Sequence, residues 1–419
     1  MKVLLSNPPW FLANGQRWGI RAGSRWPFTA PAPCPYYPFP FLMASATAYL
    51  RKKGIHAHLA DSILTRESLD SYFHRIRTMP FDYVVIETSS PSINIDLTIA
   101  QEVAKHRKVI LAGPHATIYA DELMAEHPFI FGVVKGEYEQ NLHRLLEEGK
   151  GGVYDYDLMD NLDDLPFPYR DTTIYRYSDR FPNTPPGPAL QVIASRGCPF
   201  ACIFCLWPPV MFQNRYRQRQ PGAIIAEIEE AFQRFPQLTS VYFDDDTFNI
   251  GKKRILEICE GMKRMGIPWS AMCRADTSDR ETYLAMKDSG CYAVKFGVES
   301  GCQELVDRCN KKLNLQVVEE MVQYAKSIGI FVHITITWGL PGETLSTIRR
   351  TREFYRRVRP DSVQQSYCTP FPGTPFYDMA QKAMDLKVVD WGSLDGAQGY
   401  VMDTEALTAE ELKKYAHLN

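Results

Sequence analysis

The chain has 419 residues, enough for two hydrophobic cores, and 47 Lys and Arg against 49 Asp and Glu leave a net charge of −2. Such a balance excludes a whole-surface field for nucleic acid, leaving at most a local basic patch. No apolar run is long enough to span a bilayer, and Met1-Lys2-Val3-Leu4-Leu5-Ser6-Asn7-Pro8-Pro9 lacks a signal-peptide pattern. Ten cysteines in such a chain point to a reducing cytoplasm with free thiols rather than to a disulfide scaffold.

The first 150 residues read as alternating strands and helices. Strand-like runs at 3–6, 57–60, 83–87, 109–112 and 132–135 are separated by helix-like stretches at 41–53, 66–78, 95–106, 118–126 and 139–148. This order predicts a parallel, doubly wound, Rossmann-like sheet with ligands outside the carboxyl ends of its strands. Those ends are Asn7-Pro8-Pro9-Trp10, Asp61-Ser62, Thr88-Ser89-Ser90-Pro91-Ser92, Gly113-Pro114-His115-Ala116-Thr117 and Gly136-Glu137. Small and hydroxylated residues there would let a flat, bulky ligand approach the backbone, although a ligand-free docking platform fits the same composition. The insertion 10–40 carries Arg17, Arg21 and Arg25 among prolines and tryptophans. It reads either as a cover on the sheet edge or as a lid whose arginines meet carboxylate or phosphate groups.

Residues 151–186 are acidic, then rich in Pro and Tyr, and read as an ordered linker. Alternation then resumes across 187–380. Strands are expected at 191–195, 241–243, 269–273, 293–298, 333–337 and 363–367, and helices at 222–235, 253–265, 279–289, 315–327 and 344–357. Pro221 marks one helix start and the pair Ser278 and Glu281 suggests a capping box at another. Six such units predict a partial parallel barrel with function at its carboxyl rim. The rim segments are the loop after the first strand, Asp244-Asp245-Asp246-Thr247-Phe248, Arg274-Ala275-Asp276, Gly297-Val298-Glu299-Ser300-Gly301, Thr337-Trp338-Gly339-Leu340-Pro341-Gly342-Glu343 and Tyr367-Cys368-Thr369-Pro370. Arg274 and Asp276 form an internal ion pair or a ligand clamp. The tail, 381–419, holds one helix opened by Thr408 and Glu411; beside so short a tail the pocket is expected either to be open to a large substrate or to be completed by a partner.

The loop after the first barrel strand is the chemical centre: Ser195-Arg196-Gly197-Cys198-Pro199-Phe200-Ala201-Cys202-Ile203-Phe204-Cys205. Three thiolates on one short loop can hold three corners of an iron–sulfur cube and leave the fourth iron open. A structural zinc site would close with a fourth Cys or His nearby, and none follows; small buried thiols seldom cluster on a Gly-Pro turn. His56, His58, His333 and Cys34, Cys259, Cys273, Cys291, Cys302, Cys309 and Cys368 read as packing or surface residues.

The spacing Cys198-x-x-x-Cys202-x-x-Cys205, with Phe204 before the last cysteine, resembles the signature of radical S-adenosylmethionine (SAM) enzymes. The resemblance implies a 4Fe-4S cluster whose free iron chelates SAM, and a 5′-deoxyadenosyl radical after reductive cleavage. It also implies SAM contacts at Phe204, Asp244, Asp245, Asp246, Arg274, Glu299 and Gly339, and a catalytic part for Tyr367. Arg274 and Glu299 are similar to the holders of the SAM carboxylate and ribose. The amino-terminal strand ends resemble a cobalamin-binding domain, which assigns Pro8, Ser89, Ser90, Ser92, Gly113, Pro114, His115, Ala116, Gly136 and Glu137 to that cofactor. The Asp-x-His-x-x-Gly motif is missing, so no protein histidine is expected on cobalt, His115 included.

The two resemblances together imply the cobalamin-dependent radical SAM methyltransferases. SAM would make methylcobalamin, a second SAM would yield the radical, and an unactivated carbon would take the methyl group. The substrate would be a protein or peptide residue or a small molecule, and the reductant a ferredoxin or flavodoxin. In compactness the chain is similar to the enzymes that C-methylate a glutamine of methyl-coenzyme M reductase. A non-methylating rearrangement or cyclisation, and a corrinoid or iron–sulfur sensor without turnover, are the alternatives. A cytoplasmic monomer is expected, with no membrane span and no nucleic-acid partner.

Overall fold

The computed structural model describes residues 1–11, 37–178, 184–383, 391–396 and 402–418. They divide into two compact units, one comprising Met1–Ser178, Leu206–Asn214 and Phe371–Asp395, the other Asp179–Cys205, Arg215–Pro370 and Gly396–Asn419.

The first unit is built on six parallel strands: β1 (Lys2–Asn7), β2 (His56–Asp61), β3 (Tyr83–Glu87), β4 (Lys108–Ala112), β5 (Ile130–Val134) and β6 (Gly152–Tyr154). Their order is β2-β1-β3-β4-β5-β6. The sequences Tyr-Val-Val-Ile-Glu and Lys-Val-Ile-Leu-Ala are apolar on both faces because helices cover both sides of a parallel sheet. Strand order reverses between β1 and β3, which sets the crevice expected for a ligand beside Asn7 and Thr88.

Strand β6 corrects the predicted end of this unit. It pairs with β5 through Gly132 and Gly152, Val133 and Val153, and Val134 and Tyr154. Residues 151–178, read as a linker, are therefore part of the first unit. Two helices also differ from the sequence reading. The stretch 118–126 is interrupted at Tyr119, giving Pro114–Ile118 and Ala120–Glu126. The helix expected from 66 begins at Leu69, because Arg66 is left-handed (φ 58°) and the Ser68 side chain accepts from the Ser71 N–H. Of the insertion, residues 12–36, with Arg17, Arg21, Arg25 and Cys34, lie outside the described residues. Its flanks are anchored: Trp10 and Phe39 are buried, and the Tyr37 N–H donates to the Ser178 carbonyl at 2.9 Å.

The second unit holds strands β7 (Ala189–Val192), β8 (Ser195–Arg196), β9 (Arg217–Gln218), β10 (Ser240–Phe243), β11 (Trp269–Cys273), β12 (Cys291–Glu299), β13 (Phe331–Trp338) and β14 (Ser362–Tyr367). Six of them form one parallel sheet in the order β14-β13-β12-β11-β10-β7, and β8 and β9 form a separate antiparallel pair. Consecutive strands that stay neighbours, each followed by a covering helix, give the partial (β/α)6 barrel. Its core is aromatic: Phe243 and Phe248 stack at 4.4 Å, and Trp269 meets both edge-on. The helix Arg280–Asp288 is capped by Asp279, which accepts from the Thr282 N–H at 2.9 Å. The predicted Ser278 box does not form, because Ser278 Oγ donates to the Asn249 carbonyl. Among the described residues, no helix is long and apolar enough to cross a membrane.

Candidate functional site

The cysteine loop is aimed by the strand pair beneath it. Strand β7 ends at Val192, and β8 pairs with β9 through Ser195 with Gln218 and Arg196 with Arg217. Asp245, at the end of β10, accepts from the Ala194 N–H at 3.1 Å and from Ser195 Oγ at 2.5 Å. Its carboxylate thus positions the loop from fifty residues away. Gly197, with φ +80°, makes the turn; a Cβ there would lie 2.3 Å from the Arg215 carbonyl oxygen.

Cys198, Cys202 and Cys205 are free and half-buried. Cys198 Sγ lies 3.6 Å from Thr247 Oγ1, and the Cys205 N–H donates to the Cys202 carbonyl at 3.2 Å. Burial pushes the Cys198 and Cys205 thiols upward, and Asp246 and Cys202 add to the effect on both. Buried and in electrostatic reach of neighbouring groups, the Cys198 and Cys205 thiols resist ionisation until a cation joins them. No group of three His, Cys, Asp or Glu among the described residues converges on a single ion. A single zinc ion takes donors that all lie about 2.3 Å or less from one point. A cube spreads its ligands wider, and the donor set of three thiols fits it.

The turn 309–312 closes on this loop. The Ile203 N–H donates to the Cys309 carbonyl at 3.1 Å, and Asn310 Nδ2 donates to the Ala201 carbonyl at 2.8 Å. Arg274 binds Asp276 through two contacts of 2.6 and 3.0 Å and the Lys312 carbonyl at 2.8 Å, and its guanidinium stacks 3.8 Å from the Phe200 ring centre. The internal ion pair between Arg274 and Asp276 is thus present. Glu299 is likewise engaged by the protein. Lys311 Nζ donates to one carboxylate oxygen at 3.1 Å, and Thr335 and Thr337 donate to the other at 3.1 and 2.9 Å. Lys311 was not among the residues singled out from sequence, since Lys311-Lys312 looks like a solvated pair.

At the end of β13, Gly339 (φ +78°) opens a turn whose Glu343 folds back, so that the Gly339 N–H donates to Glu343 Oε2. Burial lifts the Glu343 carboxyl to about 7, and Oε1 has no hydrogen-bond partner among the described residues. That orphaned oxygen is the feature here that fits a ligand N–H. The described tail, 402–418, folds onto this same unit: Thr404 Oγ1 donates to the Glu343 carbonyl at 3.3 Å, and Leu412 Cδ1 approaches the space beside Gly339. Phe204 and Asp244 are buried, and Tyr367, at the end of β14, is half-buried, its hydroxyl pKa raised by that burial.

In the first unit, the serines at the end of β3 serve their own turn. Ser92 Oγ donates to Asp96 Oδ2 at 2.7 Å, and Ser89 and Ser92 share a 3.1 Å contact. Ser90 Oγ meets His115 Nδ1 at 3.1 Å. The His115 ring lies between Tyr119 and Trp391, with centroids 4.8 and 5.1 Å away, and burial pushes its pKa down to about 3, so it is neutral. Gly113 is required by the protein itself, a Cβ meeting the Thr88 carbonyl oxygen at 2.5 Å; one at Gly136 would strike the Tyr156 ring. Pro8, Pro114, Ala116 and Glu137 are buried at the same strand ends. The feature that fits a ligand here is Asn7. Its Nδ2 donates to Asp61 Oδ1 at 2.9 Å, while its buried Oδ1 has no partner among the described residues. It lies on β1, beside the reversal of strand order, where an acceptor suits an amide-bearing ligand.

Comparison with known proteins agrees with this architecture. Residues 192–355 match the Radical SAM superfamily. A Pyrococcus horikoshii protein named uncharacterized methyltransferase PH0819 is 29% identical over 338 residues, 75% of this chain and 72% of that protein. The anaerobic magnesium-protoporphyrin IX monomethyl ester cyclase of Cereibacter sphaeroides is 26% identical over 405 residues, 89% of this chain and 65% of the relative. The solved structure of the radical SAM methyltransferase TsrM from Kitasatospora setae, with cobalamin and a [4Fe-4S] cluster bound, superposes with a TM-score of 0.69. It is 16% identical and covers 93% of this chain and 76% of its own, so it shares the fold.

Proposed function

We propose that this chain, whose residues 192–355 match the Radical SAM superfamily, is a cobalamin-dependent C-methyltransferase acting on an unactivated carbon. The observation that carries the reading is the loop of Cys198, Cys202 and Cys205, three free thiols clamped between β8 and the turn 309–312. When bound, a 4Fe-4S cluster supplies the electron that cleaves SAM, and a corrinoid carries the methyl group.

The chain's own residues hold, orient and shield. Cys198, Cys202 and Cys205 would each ligate one iron, leaving one position open for the amino and carboxylate groups of SAM. Asp245 and Gly197 fix the loop from behind, so that the thiols are placed before any ligand arrives. Glu343 Oε1 would accept from a ligand N–H at the end of β13, and Asn7 Oδ1 from a corrinoid amide at the end of β1. Phe204 and Phe248 keep water from the barrel side of the loop.

The acceptor carbon is read as part of a protein or peptide, a glutamine side chain among the candidates, and the electron as coming from a ferredoxin or flavodoxin. The test is anaerobic purification with added cobalamin, followed by incubation with SAM labelled in its methyl group. Label in a candidate peptide and formation of 5′-deoxyadenosine are the expected results. Cys202→Ala should abolish both; 5′-deoxyadenosine formation surviving in that variant would refute the cluster assignment.

A second reading is favoured by the cyclase relative, which matches 89% of this chain. In that case 5′-deoxyadenosine forms but no label enters the product. Formation of 5′-deoxyadenosine under reducing, anaerobic conditions would exclude a sensor without turnover.

A further inference from the structure

Lys311 is a lysine in an unusual place. It is 8% exposed, next to an exposed Lys312. Buried lysines are rare unless paired, and Glu299 is its partner at 3.1 Å. The pair is built with care. Thr335 and Thr337, two apart on β13 and so on one face, hold the second carboxylate oxygen. Gly297 leaves the room, since a Cβ there would lie 2.8 Å from Glu299 Oε1 and 3.2 Å from Lys311 Nζ. Backbone strain is concentrated here: Glu299, Asn310 and Lys312 all have left-handed φ, at 70°, 52° and 51°. The backbone N–H groups of this strained turn bond back to Leu305, Val306 and Asp307, and three further hydrogen bonds tie it to the cysteine loop, at Ala201 and Ile203, and to Arg274, which stacks on Phe200.

We propose that Lys311 is a positioning residue for the cluster, setting a fixed, buried positive charge against the corner formed by Cys202 and Cys205. The proposal rests on the cluster reading above. Its physical basis is that adding an electron to a thiolate-bound cube adds negative charge in a medium of low dielectric, and a nearby cation offsets it. Lys311 stands on the turn whose Cys309 carbonyl and Asn310 side chain bond the loop at Ile203 and Ala201, on either side of Cys202. Glu299, in turn, stops the ammonium from swinging into solvent.

The experiment compares the wild-type chain with Lys311→Met and Lys311→Arg, each reconstituted anaerobically with iron and sulfide. Iron per chain is counted, and the reduced-cluster EPR signal is followed through a redox titration. Lys311→Met should keep its iron yet show about a tenfold lower ratio of reduced to oxidised cluster at the wild-type midpoint, a shift of ~59 mV for a one-electron couple. Lys311→Arg, which keeps the charge, should titrate with the wild type. Loss of iron in Lys311→Met alone would support the same role. A wild-type midpoint in Lys311→Met, or equal loss of iron in both variants, would overturn it and leave a packing role. A wild-type chain that binds no iron would overturn the cluster reading itself.

Discussion

Gly197 stands one residue before the first cysteine with φ +80° and no space for a side chain, because the Arg215 carbonyl fills the position of a Cβ. Gly197→Ala is expected to cost about 1–3 kcal/mol and to lower iron uptake, both from displacement of the loop. A wild-type urea midpoint and full iron content would show that the loop adjusts freely. Glu343 makes a prediction about pH. Its carboxyl, ordinarily near 4.5, is lifted to about 7 by burial. Between those values the folded chain holds a proton that the unfolded chain has released, so stability is highest below the lower value and falls as pH rises towards 7. The loss is about 3 kcal/mol. Glu343→Gln keeps an acceptor for the Gly339 N–H without the ionisation, so its urea-unfolding free energy should be flatter than wild type between about pH 5 and pH 8. Parallel curves would place the carboxyl elsewhere. At this scale the cysteines were legible because their spacing is local. Asp245 and Lys311 were not, since each acquires its role from contacts with residues distant in sequence: Asp245 with Ala194 and Ser195, Lys311 with Glu299. The clue was faint: Asn310-Lys311-Lys312 is short for a helix and ends on buried Leu313.

Both sheets were legible as alternating elements because parallel strands buried on two faces are written as short apolar runs. What was missed is small or ambiguous. Strand β6 is three residues long and begins with glycine, so it read as the start of a linker. The helix Trp207–Phe212 contains Pro208 and Pro209, which suggest a loop, yet prolines are tolerated in a first turn and the segment belongs to the first unit. The tail helix Ala409–Tyr415 was legible from its capping box, but its destination was not. It folds onto its own unit. Arg352 donates to the carbonyls of Tyr415 and His417 at 2.7 and 2.6 Å, and the Leu418 N–H donates to Gln365 Oε1 at 3.1 Å. Leu412 is fully buried beside Gly339. Leu412→Ala should therefore cost about 2–5 kcal/mol, by loss of apolar contact and the cavity left behind. Chemical denaturation measures it; a change under about 0.5 kcal/mol, the size of a surface substitution, would mean that the helix is not docked.

Across the whole molecule, the cysteines sort by exposure in a way that separates ligand from packing. Among the described residues, Cys259, Cys273, Cys291, Cys302, Cys309 and Cys368 are buried, while Cys198, Cys202 and Cys205 are half-buried. The interior thiols are shielded from a reagent in solution by that burial. A thiol-alkylating reagent applied anaerobically to the folded, metal-free chain should therefore mark the peptide holding residues 198–205 first. Reconstitution with iron and sulfide should protect that peptide, because ligated sulfur is no longer free to attack. Removing the metal with a chelator should restore labelling at the same three positions. Mass spectrometry of the digested protein reads each site separately. Equal labelling of the six interior cysteines in the folded chain would mean that the barrel opens as readily as its rim. Unprotected Cys198, Cys202 and Cys205 in iron-loaded protein would place the metal somewhere else.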